Sequence, residues 1–213
     1  MEATSDVSAK GRVEAPRARS LNSVRASRII EAMRASVAEV GIAGSTFERV
    51  AAKADVSRGL LHYYFGTKER LLIEVIRRDT EYRVRNLSEA LVDARTVDEA
   101  IAALSTAFAR SFGEERGYVY MVSELFVAGR HQPDVQRELG ALYERSRHEL
   151  AEVLRVKEEE GVLRLRFDAE AVVTYLISSG DGAIIQRITQ PERDFTAADQ
   201  AAVEVARFLF DAG

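Results

Sequence analysis

Residues Ser45 to Leu72 read STFERVAAKADVSRGLLHYYFGTKERLL, and this stretch decides the fold. Thr46 stands as an N-cap before Phe47, Val50, Ala51 and Ala54, which recur at helical spacing. Asp55-Val56-Ser57 breaks that period, and Ser57 caps a second short helix through Leu61 to Phe65. Two short helices joined by a turn of three or four residues make a helix-turn-helix. Small apolar side chains in the first helix let the second pack closely, and the second is short enough to lie in a major groove roughly 12 Å wide.

The leading turn of the second helix carries Ser57, Arg58, Gly59 and Leu60: a cap, a cation suited to guanine O6 and N7, and a residue without a side chain where backbone can approach DNA. His62, Tyr63 and Tyr64 add rings with hydrogen-bonding tips, while Leu61 and Phe65 read as core. Gly66 and Thr67 end this helix, and Lys68 opens the next, whose N-terminal N–H groups favour a phosphate.

Outward from this stretch the chain is helical. Asn22–Val40 carries Ile29, Ile30, Met33 and Val37 at helical spacing and closes at Gly41. Residues 1–21 have no apolar period and are expected to form a disordered basic arm. Lys68 to Ala94 is expected to span about 40 Å and to join two domains, a DNA-binding one over 22–67 and a helical one over 68–213. Further helices are expected over Val97–Phe112, Arg116–Gly129, Pro133–Glu160, Ala169–Thr189 and Ala197–Asp211, with Asp168 and Thr196 as N-caps. Val162–Phe167 alternates like a strand but has no partner, and is expected to be an extended loop. The fold class is therefore all-α.

Charge is divided along the chain. Residues 1–70 hold 12 Lys/Arg and 8 Asp/Glu, net +4, leaving 18 and 26, net −8, for residues 71–213. A basic head on an acidic body suits a reader of nucleic acid whose second domain stays off the phosphates. With no cysteine, no paired metal-ligand spacing among His62, His131 and His148, and no Gly-rich phosphate loop, nothing points to an enzyme or to a bound cofactor. The absence of a long apolar run and of a signal-peptide pattern in residues 1–20 points to the cytoplasm, with no membrane partner.

The segment resembles the DNA-binding domain of the TetR family of repressors. The resemblance rests on Thr46, Val50-Ala51, Ala54, Val56-Ser57, Gly59, Leu61, His62-Tyr63-Tyr64-Phe65, Lys68 and Glu69. It departs at His62, where the family usually has Tyr. It implies that Tyr63 faces base edges and that Thr46, His62, Tyr64 and Lys68 hold the DNA backbone. It further implies a homodimer in which the last two helices pair with their copies. Val173, Leu176, Ile177, Ile184, Ile185 and Ile188, with Val203, Ala206, Phe208, Leu209 and Phe210, offer the apolar surface for that pairing.

A small-molecule pocket is expected among the middle helices, walled by Phe108, Phe112, Tyr118, Met121, Phe126, Tyr143 and Tyr175, although each aromatic taken singly also suits ordinary core. Asp181, Glu124, Arg147 and His148 are the polar groups expected inside it or at its rim. Asp181, in an apolar helix, is expected either to form a salt bridge to an arginine or to serve the pocket. A repressor released from a palindromic double-stranded operator by that effector is the function implied. A DNA-binding protein controlled instead by a protein partner is the alternative.

Overall fold

The computed structural model describes residues 24–110 and 116–210, with the side chains of 116–119 left aside. The expected arm and Phe112 lie outside the described residues. Among those described there are helices and no strand: α1 (Val24–Gly44), α2 (Phe47–Ala54), α3 (Arg58–Phe65), α4 (Lys68–Asp93), α5 (Val97–Arg110), α6 (Arg116–Gly129), α7 (Pro133–Glu159), α8 (Ala169–Thr189) and α9 (Thr196–Phe210).

Local chemistry sets the boundaries of the short helices. The Thr46 hydroxyl accepts from Arg49 N–H, Ser57 from Leu60 N–H and Thr67 from Arg70 N–H, each satisfying a backbone donor that a helix start leaves open. Asp55 takes a left-handed conformation (φ 52°) to close α2. Gly41 does not simply end α1: at φ 72° it breaks the helical path, and the chain turns on to Gly44 before α2 begins. Thr196, expected as the cap before α9, is instead the first residue of that helix, and its N–H (2.9 Å) and hydroxyl (2.7 Å) both donate to the Asp194 carboxylate.

Two apolar cores follow one another along the molecule. The first joins Ile29, Ile30, Val50, Leu61, Leu71 and Ile76 of α1 to α4, and it continues into Met121, Leu125, Leu139 and Leu142 of α6 and α7. The helix-turn-helix is thereby seated directly on two body helices. Polar links reinforce the seat: Arg34 pairs with Asp79, Arg78 donates to Ser27 (3.0 Å), and Arg70 reaches Asp134 (3.6 Å). The second core gathers Leu91, Ile101, Leu154, Val172, Val173 and Phe210 at the far end of the bundle.

Val162–Phe167 is an extended loop whose backbone partner is a helix end. Arg164 N–H donates to Phe210 C=O (2.8 Å) and Arg166 N–H to Leu209 C=O (3.0 Å), satisfying carbonyls that α9 leaves open at its C-terminus. The Arg166 side chain donates to Phe208 C=O (3.0 Å) and lies over the Phe208 ring. Of the apolar residues expected to face a second subunit, Val173, Ala206, Leu209 and Phe210 are instead buried in this chain's own core. They have neighbours at hand, so they are unavailable to a partner. The outward apolar face of α8 and α9 consists of Tyr175, Ile185, Val205 and Phe208.

Candidate functional site

The first candidate surface is α3 and its flanks. Leu61 and Phe65 are buried against Val50, Ala51 and Ala54, so the small side chains of α2 set α3 close against the domain. That register turns Arg58, Gly59, His62 and Tyr63 outward, and Tyr63 is 71% exposed. Tyr64 is half-buried and packs on the core, while its ring meets that of Tyr63 edge-on at 5.3 Å; Leu60 is half-buried too. A Cβ at Gly59 would meet only the Ser57 hydroxyl oxygen, at 3.8 Å. Nothing inside the protein requires glycine there, and the open space belongs to whatever approaches from outside.

Several polar groups of this surface already have partners. Arg58 pairs with Glu48 at 2.5 Å. The Glu48 carboxyl is held below the usual carboxylate range, first by its own backbone N–H and then by Arg58, Thr46 and His62. A His62 ring nitrogen lies 3.1 Å from Gly66 C=O, and its ring stands edge-on to Phe47 at 4.8 Å, so it braces the end of α3. Lys68 donates to Ile42 C=O near the end of α1. Thr46 and Ser57 serve as helix caps.

The second candidate site is a cavity of about 1280 Å³ between α4, α5, α7 and α8. Most of its wall is aliphatic, including Leu87, Leu104, Leu142, Leu176 and Ile177. Phe108, Tyr143 and Asp181 line it as expected, and they come from three different helices. The Tyr143 hydroxyl donates to the Asp181 carboxylate at 2.9 Å. An arginine was expected in that role, but among the described residues Asp181 has no ion pair. Burial pushes its carboxyl above the ordinary range, and the hydrogen bond from Tyr143 partly offsets this.

The other expected residues do not join them. Met121 is buried in the first core, beneath the helix-turn-helix. Phe126 is half exposed, beside the site, with its ring 6.0 Å from that of Tyr143. Tyr175 stands on the opposite side of α8, lining a shallow groove with Phe167, Val205 and Phe208. Glu124 and His148 are exposed, and Arg147 pairs with Glu144 at 3.3 Å. Tyr118 begins α6, but its side chain is not among those described. Thr80, Arg83 and Asn86 of α4 line the cavity and were missed. The signal was available: polar residues three apart on the face of α4 that also carries Ile76, Val84 and Leu87.

The sequence pattern described as bacterial regulatory proteins, tetR family, matches residues 29–75, which span most of α1 through the first turns of α4. The HTH-type transcriptional regulator BetI of Brucella canis is 28% identical over 127 residues, covering 59% of this chain and 63% of the relative. The chain thus spans about 63% of the length of the curated relatives it matches first. A transcriptional regulator from Saccharomonospora viridis solved in complex with choline superposes with TM-score 0.67 at 20% identity, covering 85% of this chain and 94% of the other. FadR of Bacillus subtilis, solved in complex with stearoyl-CoA, superposes with TM-score 0.65 at 17% identity, covering 84% and 96%. These structures share the fold, an N-terminal helix-turn-helix on a helical body. Over residues 29–75 the chain thus carries the DNA-binding pattern of the TetR family of transcriptional regulators, and its described residues share the fold of the regulators above.

Proposed function

We propose that this protein is a homodimeric DNA-binding regulator, a repressor that leaves a palindromic operator when a small molecule enters the α4, α5, α7 and α8 cavity. The observation that carries the reading is α3: a short, capped helix with its apolar side buried and Arg58, Gly59, His62 and Tyr63 on its open side. Tyr63 meets base edges, and Arg58 exchanges Glu48 for a guanine or a phosphate. Thr46, Ser57, Leu60, Tyr64 and Lys68 frame the contact, and the N-termini of α2 and α4 supply N–H groups for phosphates.

Effector control rests on helix sharing. α4 contributes both to the core under α3 and to the cavity wall, so a ligand that changes its tilt changes the separation of the two recognition helices. Departure from the ~34 to 36 Å spacing of successive major grooves lowers operator affinity. Relatives of this fold hold ligands as different as choline and stearoyl-CoA, which supports a cavity specialised by its lining residues rather than by the fold.

Binding of the purified protein to DNA upstream of its own gene, at one stated salt concentration and with Tyr63→Ala as control, tests the reading. Tight, sequence-selective binding that the variant loses is expected. Weak binding that is equal on random DNA overturns it. A DNA-binding protein whose affinity no small molecule changes would leave control to a protein partner.

A further inference from the structure

The Asp181 carboxyl is set in the wall of a largely apolar cavity, and what satisfies it is a neutral phenol. A carboxylate withdrawn from water normally has a cation beside it, because the lost hydration is otherwise uncompensated. Among the described residues no arginine, lysine or histidine pairs with Asp181. The other charged groups of the wall are differently placed: Glu99 and Arg110 are exposed, and Glu99 accepts from Arg95 N–H at 2.6 Å. Arg83, half-buried on α4, already has interactions within the protein.

One ring touches the carboxyl and a second lies close by. Tyr143 donates to it directly, and the Phe108 ring, with the Arg187 guanidinium over it at 5.2 Å, lies against the neighbouring Gly180, where an added Cβ would come within 3.8 Å. A ring and a partly buried acid together are surroundings that favour an organic cation, through the ring and the charge at once. The volume of the cavity far exceeds what a small head group fills, and most of the remaining wall is hydrocarbon.

We propose that the cavity binds an organic ammonium ion with a sizeable apolar body, its cationic nitrogen against Asp181 and Tyr143 and its hydrocarbon among Leu87, Leu104, Leu142 and Leu176. This inference rests on the regulator reading and specifies its effector. The charge on Asp181 supplies selectivity, and the aliphatic wall supplies affinity common to any ligand of similar body.

Three probes with one decyl chain separate these contributions: decyltrimethylammonium, decanol and decanoate, each titrated calorimetrically into the full-length protein below its aggregation concentration. The ammonium is expected to bind about ten-fold or more tightly than decanol, as one desolvated cation contact provides. Decanoate is expected to be the weakest. Asp181→Asn abolishes the ammonium preference and leaves decanol affinity within about two-fold, whereas Tyr143→Phe, which keeps the carboxyl, retains the preference. Decanoate binding most tightly, equal binding of all three probes, or no binding of any overturns the inference. Operator binding measured on the same preparation separates this failure from that of the regulator reading. Intact operator affinity with no ammonium preference removes only the proposed ligand class.

Discussion

The Tyr143 hydroxyl and the Asp181 carboxylate, 2.9 Å apart, join α7 to α8 across the wall of the cavity. Burial raises the Asp181 carboxyl above its ordinary range, so the folded chain holds that proton to higher pH than the unfolded chain does. Stability from this group is therefore lost as pH rises from the unfolded value through the folded one, and it stays lost above. Asp181→Asn keeps a carbonyl for Tyr143 and removes the charge. The variant is expected to melt above the wild type at neutral pH, with the difference vanishing below the range of a free aspartate. Thermal melts across that range check it, and a difference independent of pH would show that charge is not its source.

Tyr63→Ala is expected to weaken operator binding about 10- to 100-fold, the scale of one good base contact. Its melting temperature should match the wild type, because the ring is 71% exposed and contributes little to the core. Fluorescence anisotropy with labelled operator and a thermal melt measure the two quantities separately. Loss of both together would mean that Tyr63 holds α3 in place instead of reading DNA.

The outward apolar residues of α8 and α9 offer a direct test of assembly. Ile185 and Phe208 are 57% and 53% exposed, so a charge at either costs the monomer little. Ile185→Glu at a two-fold interface would bury two carboxylates, one from each subunit, and such unpaired desolvated charges are strongly unfavourable. A folded monomer by light scattering is expected, with DNA affinity reduced because two half-sites are no longer engaged together. A dimer that survives the substitution would move the interface elsewhere.

The helix-turn-helix was legible because its signals are local. A cap hydroxyl, a small-residue face and a turn lie within one stretch, and Thr46, Ser57 and Thr67 act over three residues. The cavity was legible only in part, since its wall depends on which side of each helix meets its neighbours. Tyr143 and Tyr175 are alike in type and both lie on amphipathic helices, yet one lines the cavity and the other faces outward. Tertiary packing alone decides between them. The same reason hid the partner of Asp181: Tyr143 is 38 residues away, and nothing local distinguishes it from an arginine at equal reach. Thr80, Arg83 and Asn86 were missed because a polar side chain on a long connecting helix usually faces water.

Lys157 supplies a test of how a buried charge is tolerated. Its side chain is 1% exposed, and its Nζ donates at 2.7 Å to Glu160, which is itself about half exposed. Removing one member of a buried pair is costly when it strands the other's charge away from water. Here the remaining carboxylate is already at the surface. Lys157→Met, which keeps the unbranched hydrocarbon, is expected to change stability by less than about 1.5 kcal/mol, whereas Lys157→Ala opens a cavity and costs about 2 to 5 kcal/mol. Glu160 titrates below the usual carboxylate range because of Lys157, and in the Met variant its titration should return toward that of a free glutamate by NMR.

Ser57 offers a test that separates its capping role from the proposed contact with DNA. Its hydroxyl oxygen accepts from Leu60 N–H at 3.3 Å and caps α3. Alanine removes the cap and is expected to cost about 1 kcal/mol. Aspartate caps as well as serine and adds favourable charge at a helix N-terminus, so Ser57→Asp should match or exceed wild-type stability. In the proposed DNA complex the same carboxylate would face the phosphates, where like charge opposes association and consumes the N-terminal field that would otherwise attract them. The expected result is opposite orders: aspartate above alanine in chemical denaturation, and aspartate below alanine in operator affinity at fixed salt. Parallel orders in the two measurements would mean that the start of α3 does not approach the DNA backbone.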